Sequence, residues 1–338
     1  MVRLIVCVVT VGALTWTGAV LYARGMSALG RLEATNSRSM HRRPIPTGAG
    51  IVPISLVLLL AALDFSSLSQ LQRSLLVACA GLAAISWVDD LVGVPPAPRL
   101  LAHMLAVGWC LSQLSTDQRV VAWLPLELER FLLGVAWVWF INLFNFMDGI
   151  DGLASSEAVG LALGYVAAVL LVGPADNALA LALLIAAAMV GYLYWNWPPA
   201  QVMMGDAGSI PLGFLTGWLM LDLALQGYTA AAIILPLFFW ADASITLLRR
   251  LVRGQFPHHA HREHFYQRAA GGCDNHRTIV LRVIAVNSLL IILSLLSIFH
   301  AVVALVLASI CIVLFLVHLE GLATRPNLPV SPGSRQLD

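Results

Sequence analysis

The sequence contains no lysine. All 19 basic residues are arginine, and together with 18 acids they make only 11% of 338 residues charged. A soluble domain carries roughly 25% charged residues, so a fold surrounded by water is excluded. The near balance of charge, +1 overall, gives no reason to expect nucleic acid as a partner. Cysteine is scarce as well. Cys7, Cys79, Cys110, Cys273 and Cys311 show no paired spacing, and four of them lie inside apolar runs. That pattern excludes a disulfide framework and a thiolate metal site. Internal repeats and low-complexity segments are absent. The one extended polar stretch is the tail 320–338, rich in proline, serine and arginine, which reads as disordered.

What fills the chain instead is hydrophobic residues, 59% of the total, at a mean hydropathy of +0.86. Apolar runs lie at 3–23, 49–64, 73–89, 100–116, 128–147, 153–173, 177–195, 208–225, 229–248, 278–298 and 301–319. A membrane helix needs about 20 such residues. The expected fold is therefore all-α: a polytopic integral membrane protein of ten or eleven transmembrane helices, forming one domain over 1–319. The first run lacks a small-residue cleavage site and reads as a retained helix. With the N-terminus outside, inner segments hold fourteen arginines and outer segments four. Cytoplasmic loops collect arginine, so the expected orientation is N-out and C-in.

Five polar clusters interrupt the apolar pattern: 36–50, 89–99, 142–152, 196–209 and 249–268. Each falls at the junction between an odd-numbered run and the even-numbered run after it. All five are therefore expected on one face, the cytoplasmic one. "SWVDDLVG" ends the third run with Asp89 and Asp90, an adjacent pair that repels unless a cation or a proton neutralises one of them. A divalent cation, Mg²⁺ in most phosphate chemistry, suits hard carboxylate oxygens; a solvated helix end is the plainer reading. "NLFNFMDGIDGLA" spaces Asn142, Asn145, Asp148 and Asp151 three residues apart, so neighbours lie side by side on a helix and line a wall. "NWPPAQVMMGDAGS" puts Asp206 at the start of the eighth run, where it either caps the helix or holds a cation against a phosphate.

"PHHAHREHFYQR" carries His258, His259, His261, Arg262, His264 and Arg268, a receptor for a diphosphate. Zinc has no supporting Cys or Glu-x-x-His pattern there. "NSRSMHRRPIPTGAG" places Arg38 and His41 near the headgroup plane. Asp242, inside the ninth run, is a functional candidate simply because a carboxylate in a span is costly; a pair with Arg249 or Arg250 is the bland alternative.

Carboxylates for a cation, arginine and histidine for phosphate, and a lipid at hand suggest phosphoryl transfer between a nucleotide compound and a lipid phosphate. At this point the chain also resembles a known family. From about residue 36 to 280 it is similar to the polyprenyl-phosphate N-acetylhexosamine-1-phosphate transferases. These include the undecaprenyl-phosphate GlcNAc-1-phosphate and phospho-MurNAc-pentapeptide transferases. The Asp89–Asp90 pair, "NxxNxxDGxDGLA", "MGDAGS" and the His-rich loop occur in family order.

The resemblance implies that Asp206 is the principal Mg²⁺ ligand, with Asp90 beside it and Mn²⁺ as a substitute. It implies that Asp89 and Asp90 are the catalytic acids near the lipid phosphate, and that Asn145, Asp148 and Asp151 form the nucleotide side. His261, Arg262, His264, Arg38 and His41 are the remaining expected substrate contacts. The implied reaction joins UDP-N-acetylhexosamine to undecaprenyl phosphate in the bacterial inner membrane and releases UMP. A homodimer is the implied assembly. "AHREHFYQR" is closer to the O-antigen-initiating branch than to the peptidoglycan branch, which stands as the alternative. An ion-coupled transporter is the rival from another class; it would place its acids near mid-bilayer within paired repeats.

Overall fold

The computed structural model describes residues 2–30, 45–63, 68–173, 177–255, 261–273 and 275–324. Among them there are helices and no β-strand: α1 (Val2–Ala28), α2 (Ile51–Ala61), α3 (Gln70–Val92), α4 (Pro96–Ser112), α5 (Leu126–Phe146), α6 (Leu153–Val172), α7 (Asn177–Asn196), α8 (Asp206–Leu225), α9 (Thr229–Ile234), α10 (Leu237–Val252), α11 (Phe265–Cys273), α12 (His276–Ser297) and α13 (Ala301–Ala323). Seven of these, α1, α3, α6, α7, α8, α12 and α13, are long and apolar enough to cross a membrane. The chain is thus a polytopic membrane protein.

Each of the eleven apolar runs overlaps a helix among the described residues, with three differences from expectation. The ninth run is two helices, because Pro236 cannot donate a backbone hydrogen bond and interrupts the ladder between α9 and α10. The His-rich loop contains a short helix, α11, that no apolar run announced. The last helix continues past residue 319 to Ala323. The tail from 325 onward lies outside the described residues.

Solvent character explains which helices go where. The outer helices expose large apolar side chains, Val302, Val313, Leu314 and Val317 on α13 among them. A surface like this belongs against lipid. Helix α8 is apolar on every side and buried along nearly its whole length, as expected of a helix at the centre of a bundle. It packs against α3, α5, α6 and α9. Lipid gives no hydrophobic drive between helices, so close packing of small residues has to supply the contact. Gly213 and Gly217 supply it on α8. A Cβ at Gly213 would crowd the Ile141 backbone, and one at Gly217 would collide with Trp137. Trp137 stacks on Phe214 at 4.9 Å and donates its indole N–H to the Phe214 carbonyl at 3.0 Å. This contact brings the end of α5 beside the start of α8.

Candidate active site

The site is built where α3 ends and α8 begins. Ser69 starts α3 with a reciprocal capping box to Gln72, and Gly93, at φ +74°, stops the helix just after the paired acids. The chain enters α8 through Gly205, whose φ is +69°. A side chain there would collide with Asp90 and with the backbone of Gly48. The loop before α2 runs alongside the loop before α8: Met203 N–H donates to the Pro46 carbonyl at 2.9 Å, Ala49 N–H to Met203 at 3.1 Å and Gly50 N–H to Met204 at 3.0 Å. Tyr22 on α1 donates to the Thr47 carbonyl at 3.2 Å. Two segments far apart in sequence are thereby laced into one floor.

Asp90 receives both of the first backbone amides of α8. Asp206 N–H meets one carboxylate oxygen and Ala207 N–H the other, each at 2.9 Å. These are donors that a helix start leaves without an intrahelical partner, and a negative charge there opposes the helix dipole. Asp90 was expected as a metal ligand beside Asp206. In this arrangement each of its oxygens accepts one amide from the start of α8, and the carboxylate that shares the Arg99 guanidinium with Asp206 is Asp89. Asp89 accepts from Val94 N–H at 2.5 Å through one oxygen. Its other oxygen is 2.7 Å from Arg99, and the same guanidinium pairs with Asp206. The second Asp206 oxygen accepts from Asn145 at 2.7 Å, and the Asn145 amide also reaches Ser209 at 2.8 Å.

Asp206 and Arg99 keep about a quarter of their side-chain surface open, 25% and 26%, while Asp89 is at 8%. The opening therefore lies on the Asp206–Arg99 side. Arg99 was not singled out from sequence. The signal was there: it is the only arginine between Arg73 and Arg119, ten residues after the acidic pair, at the start of the next run.

Does this donor set suit a divalent cation? Among the described residues no three His, Cys, Asp or Glu side chains converge as a closed metal cage. Mg²⁺ does not need one, since it is held by one or two carboxylates, waters and substrate phosphates. Asp89 and Asp206 already converge on one cation, the Arg99 guanidinium. Three carboxylates against that one guanidinium leave a formal charge of −2. The residues present fit Mg²⁺, with Asp206 and Asp89 as the holders.

The other expected residues divide. Asn145 belongs to the site, as just described. Asp151 is 5% exposed; it accepts from Ala200 N–H at 3.0 Å and lies 3.3 Å from His276 Nδ1. It ties the start of α6 to the 196–202 loop, helped by Asn196, which accepts from Gly152 N–H and Ser155 and donates to the Val202 carbonyl. Asp148 lies close enough for its charge to act on Tyr266.

His264 is 2% exposed, and its Nδ1 is 3.0 Å from Asp242. Burial places it behind the surface a substrate would meet. His261, half-buried, and Arg262, exposed, stand in front. Arg268 is held by Glu320, and Arg250 by Glu263. The bland pairing of Asp242 with Arg249 or Arg250 does not occur. Tyr266 donates to the Phe146 carbonyl at 2.9 Å; burial, with the Asp242 charge, holds its hydroxyl well above the usual phenol range, so it remains a donor. Arg38 and His41 lie outside the described residues.

The described residues of all five polar clusters thus meet at one end of the bundle. Comparison with known proteins follows the same residues. The model of glycosyl transferase family 4 matches residues 72–224, the stretch from α3 through α8. A phospho-N-acetylmuramoyl-pentapeptide-transferase of Moorella thermoacetica is 30% identical over 218 residues, which cover 57% of this chain and 68% of that protein.

The chain belongs to glycosyl transferase family 4.

Other relatives in the family include a probable undecaprenyl-phosphate N-acetylglucosaminyl 1-phosphate transferase of Bacillus subtilis, 31% identical over 169 residues, 46% of this chain and 47% of that one. A phospho-N-acetylmuramoyl-pentapeptide-transferase of Chlamydia pneumoniae is 31% identical over 204 residues, 51% and 58%. The chain spans about half the length of the Bacillus relative. Within the family's matched region lie Asp89, Asp90, Arg99, Asn145 and Asp206; α10 and α11 lie beyond it.

Proposed function

We propose that this family 4 member transfers an N-acetylhexosamine-1-phosphate unit from a UDP-sugar to undecaprenyl phosphate, leaving the lipid diphospho-sugar and UMP. The observation that carries the reading is the convergence of Asp89, Arg99, Asn145 and Asp206 at one end of a lipid-facing bundle, with Arg99 and Asp206 about a quarter open to solvent. An apolar cavity of about 430 Å³ supports it. The cavity lies between α5, α8, α9 and α10 and is lined by Leu133, Trp137, Phe140, Gly217, Leu221 and Trp240 among others. Phe140 precedes Asn145 by five residues, about 8 Å of helix, so a prenyl chain in this cavity would present its phosphate near Asp206.

A phosphate monoester has a second pKa near ~6, so the lipid nucleophile is already largely ionised and a strong base is not required. One of its oxygens attacks the β-phosphorus of the UDP-sugar. The bond from that phosphorus to the bridging oxygen breaks, and the oxygen leaves on UMP. Arg99 offers a planar guanidinium to phosphate oxygens. Asn145 holds one Asp206 oxygen, and Asp90 fixes the helix start that carries Asp206. Mg²⁺, when bound at Asp206 and Asp89, neutralises charge on the diphosphate. His261 and Arg262 face the nucleotide-sugar. The face bearing the site is the cytoplasmic one, with the N-terminus outside.

The test is UMP release by the purified protein from undecaprenyl phosphate and a panel of UDP-sugars. UDP-GlcNAc or another UDP-N-acetylhexosamine should support turnover. UDP-MurNAc-pentapeptide as the preferred donor would select the peptidoglycan reading, which the Moorella and Chlamydia relatives favour. No UMP from any donor, with ion-dependent solute flux instead, would select the transporter. The clustering of acids at one end of the bundle, rather than at mid-span, weighs against that rival.

A further inference from the structure

We infer that Asp242 is a positioning residue for the nucleotide-sugar side of the site: it anchors α11 and, through His264, sets where His261 and Arg262 stand. The kinetic part of this inference rests on the transferase reading; the structural part does not.

Asp242 sits in α10 about two and a half turns before the helix end and has no exposed surface. A charge so enclosed must be satisfied locally or it destabilises the fold. Its Oδ1 accepts from Phe265 N–H at 3.1 Å and lies 3.0 Å from His264 Nδ1. Its Oδ2 accepts from Tyr266 N–H at 3.0 Å, and Thr246 Oγ1 lies 3.4 Å from Oδ1. Two of these donors are first-turn amides of α11, which have no intrahelical acceptor. Bonding to the carboxylate fixes the imidazole with its proton on Nδ1.

From there the order passes outward by packing. The His264 ring stacks on His261 at 5.0 Å and on Tyr266 at 5.6 Å. Tyr266 reaches the Phe146 carbonyl, and a side chain at Gly149 would collide with its hydroxyl and with Gln267. Arg268, one turn into α11, is held against both oxygens of Glu320, at 3.0 and 2.8 Å. Arg249 lies 4.6 Å over the Phe265 ring. The short helix is thus pinned to α10, to the 146–149 loop and to α13. The segment 261–264 leads into it directly. Asp242 and His264 are themselves too buried to touch a substrate, so whatever they do to turnover they do through the residues in front of them.

The experiment uses the full chain in detergent and two independent readouts. In Asp242→Asn, which keeps shape but replaces one acceptor with a donor, hydrogen exchange at Phe265 and Tyr266 should speed by about tenfold. Exchange at Asp206 and Ala207 should stay as in the wild type. With UDP-GlcNAc and undecaprenyl phosphate as substrates, KM for the nucleotide-sugar should rise about tenfold while KM for the lipid is unchanged. Adding Arg262→Ala to Asp242→Asn should cost less than the product of the two single losses, because one acts through the other. Asp242→Glu should recover part of the exchange protection and of the donor KM.

His264→Ala leaves the amide bonds in place and serves if Asp242→Asn does not fold. It should speed exchange at 261–264 while Phe265 and Tyr266 stay protected. Unchanged exchange at Phe265 and Tyr266 in Asp242→Asn, or at 261–264 in His264→Ala, overturns the anchor. Equal changes in both KM values, or fully independent losses with Arg262→Ala, overturn the positioning role. If no variant and no wild type turns over a UDP-sugar, the transferase reading falls, and the exchange data alone decide on Asp242.

Discussion

Asp90 on α3 and Asp242 on α10 each accept two consecutive backbone amides from the first turn of another helix, α8 in one case and α11 in the other. The local chemistry is the same. The surroundings are not. Beside Asp90 stand two more carboxylates and one guanidinium, next to an opening. Beside Asp242 stand an imidazole and a hydroxyl, and the enclosure is complete. A cap with surplus negative charge and access to solvent suits a cation and a phosphate. A cap that is closed and satisfied can only hold its helix still. The difference separates the groups that would meet substrate from the groups that aim them.

The comparison can be broken at its reactive end first. Removing divalent cations with EDTA should stop UMP formation almost completely. Mg²⁺ should restore it and Mn²⁺ should do so in part, while the thermal unfolding midpoint stays put, because the α8 cap is protein alone. Full activity in EDTA would remove the cation from the site. Asp206→Asn comes next, with turnover falling about a thousandfold and little change in stability; near-normal turnover would falsify its role.

Asp90→Ala should act on both counts. It leaves two buried amides without an acceptor, at a cost of about 1–3 kcal/mol each at most, and it lets Asp206 move, so turnover should fall by at least about tenfold. If stability drops and kcat does not, Asp90 holds the helix without aiming its first residue. Arg99→Lys keeps the charge but loses the fork that reaches Asp89 and Asp206 together. We expect about a tenfold loss in kcat/KM, and an unchanged value would mean that Arg99 only fills space between the acids. The smallest effect belongs to Glu320→Gln on α13, where α11 is held through Arg268. Its partners are partly exposed, so stability should change by less than about 1 kcal/mol, and a larger shift in a thermal melt would place more of the α11 anchor at α13 than at Asp242.

Much of this was legible in the chain. Apolar runs of the right length located the helices, because lipid demands continuous apolar surface and internal backbone hydrogen bonds. Their alternation put the polar clusters at one end. Three-residue spacing brought Asn145 under suspicion as part of a polar wall at a helix end, and Asp206 drew attention as the acid of "MGDAGS" at a helix start. Sequence reading assigned equal roles to residues of equal type, and tertiary contact sets them in different surroundings. Asp148 and Asp151 look alike in "DGIDG", yet Asp151 faces inward to Ala200 and His276. His261 and His264 look alike in the loop, yet only His261 stands at the front. Nothing in a periodicity of three says which member points to the ligand when the helix has already ended at Phe146.

By itself, then, the sequence determined the solvent, the helical class and the set of polar residues able to handle a phosphate, since each follows from composition and spacing along one strand of chain. The division of labour among those residues was decided by tertiary contact alone. Arg99 became part of the site because the start of α4 brings its guanidinium to Asp206 at the start of α8, and Asp90 became a cap because the start of α8 landed on it. Asp242 became an anchor because α11 folded over α10. These pairings join residues 22 to 117 positions apart, a separation at which no local pattern in the chain records which donor an acceptor will meet.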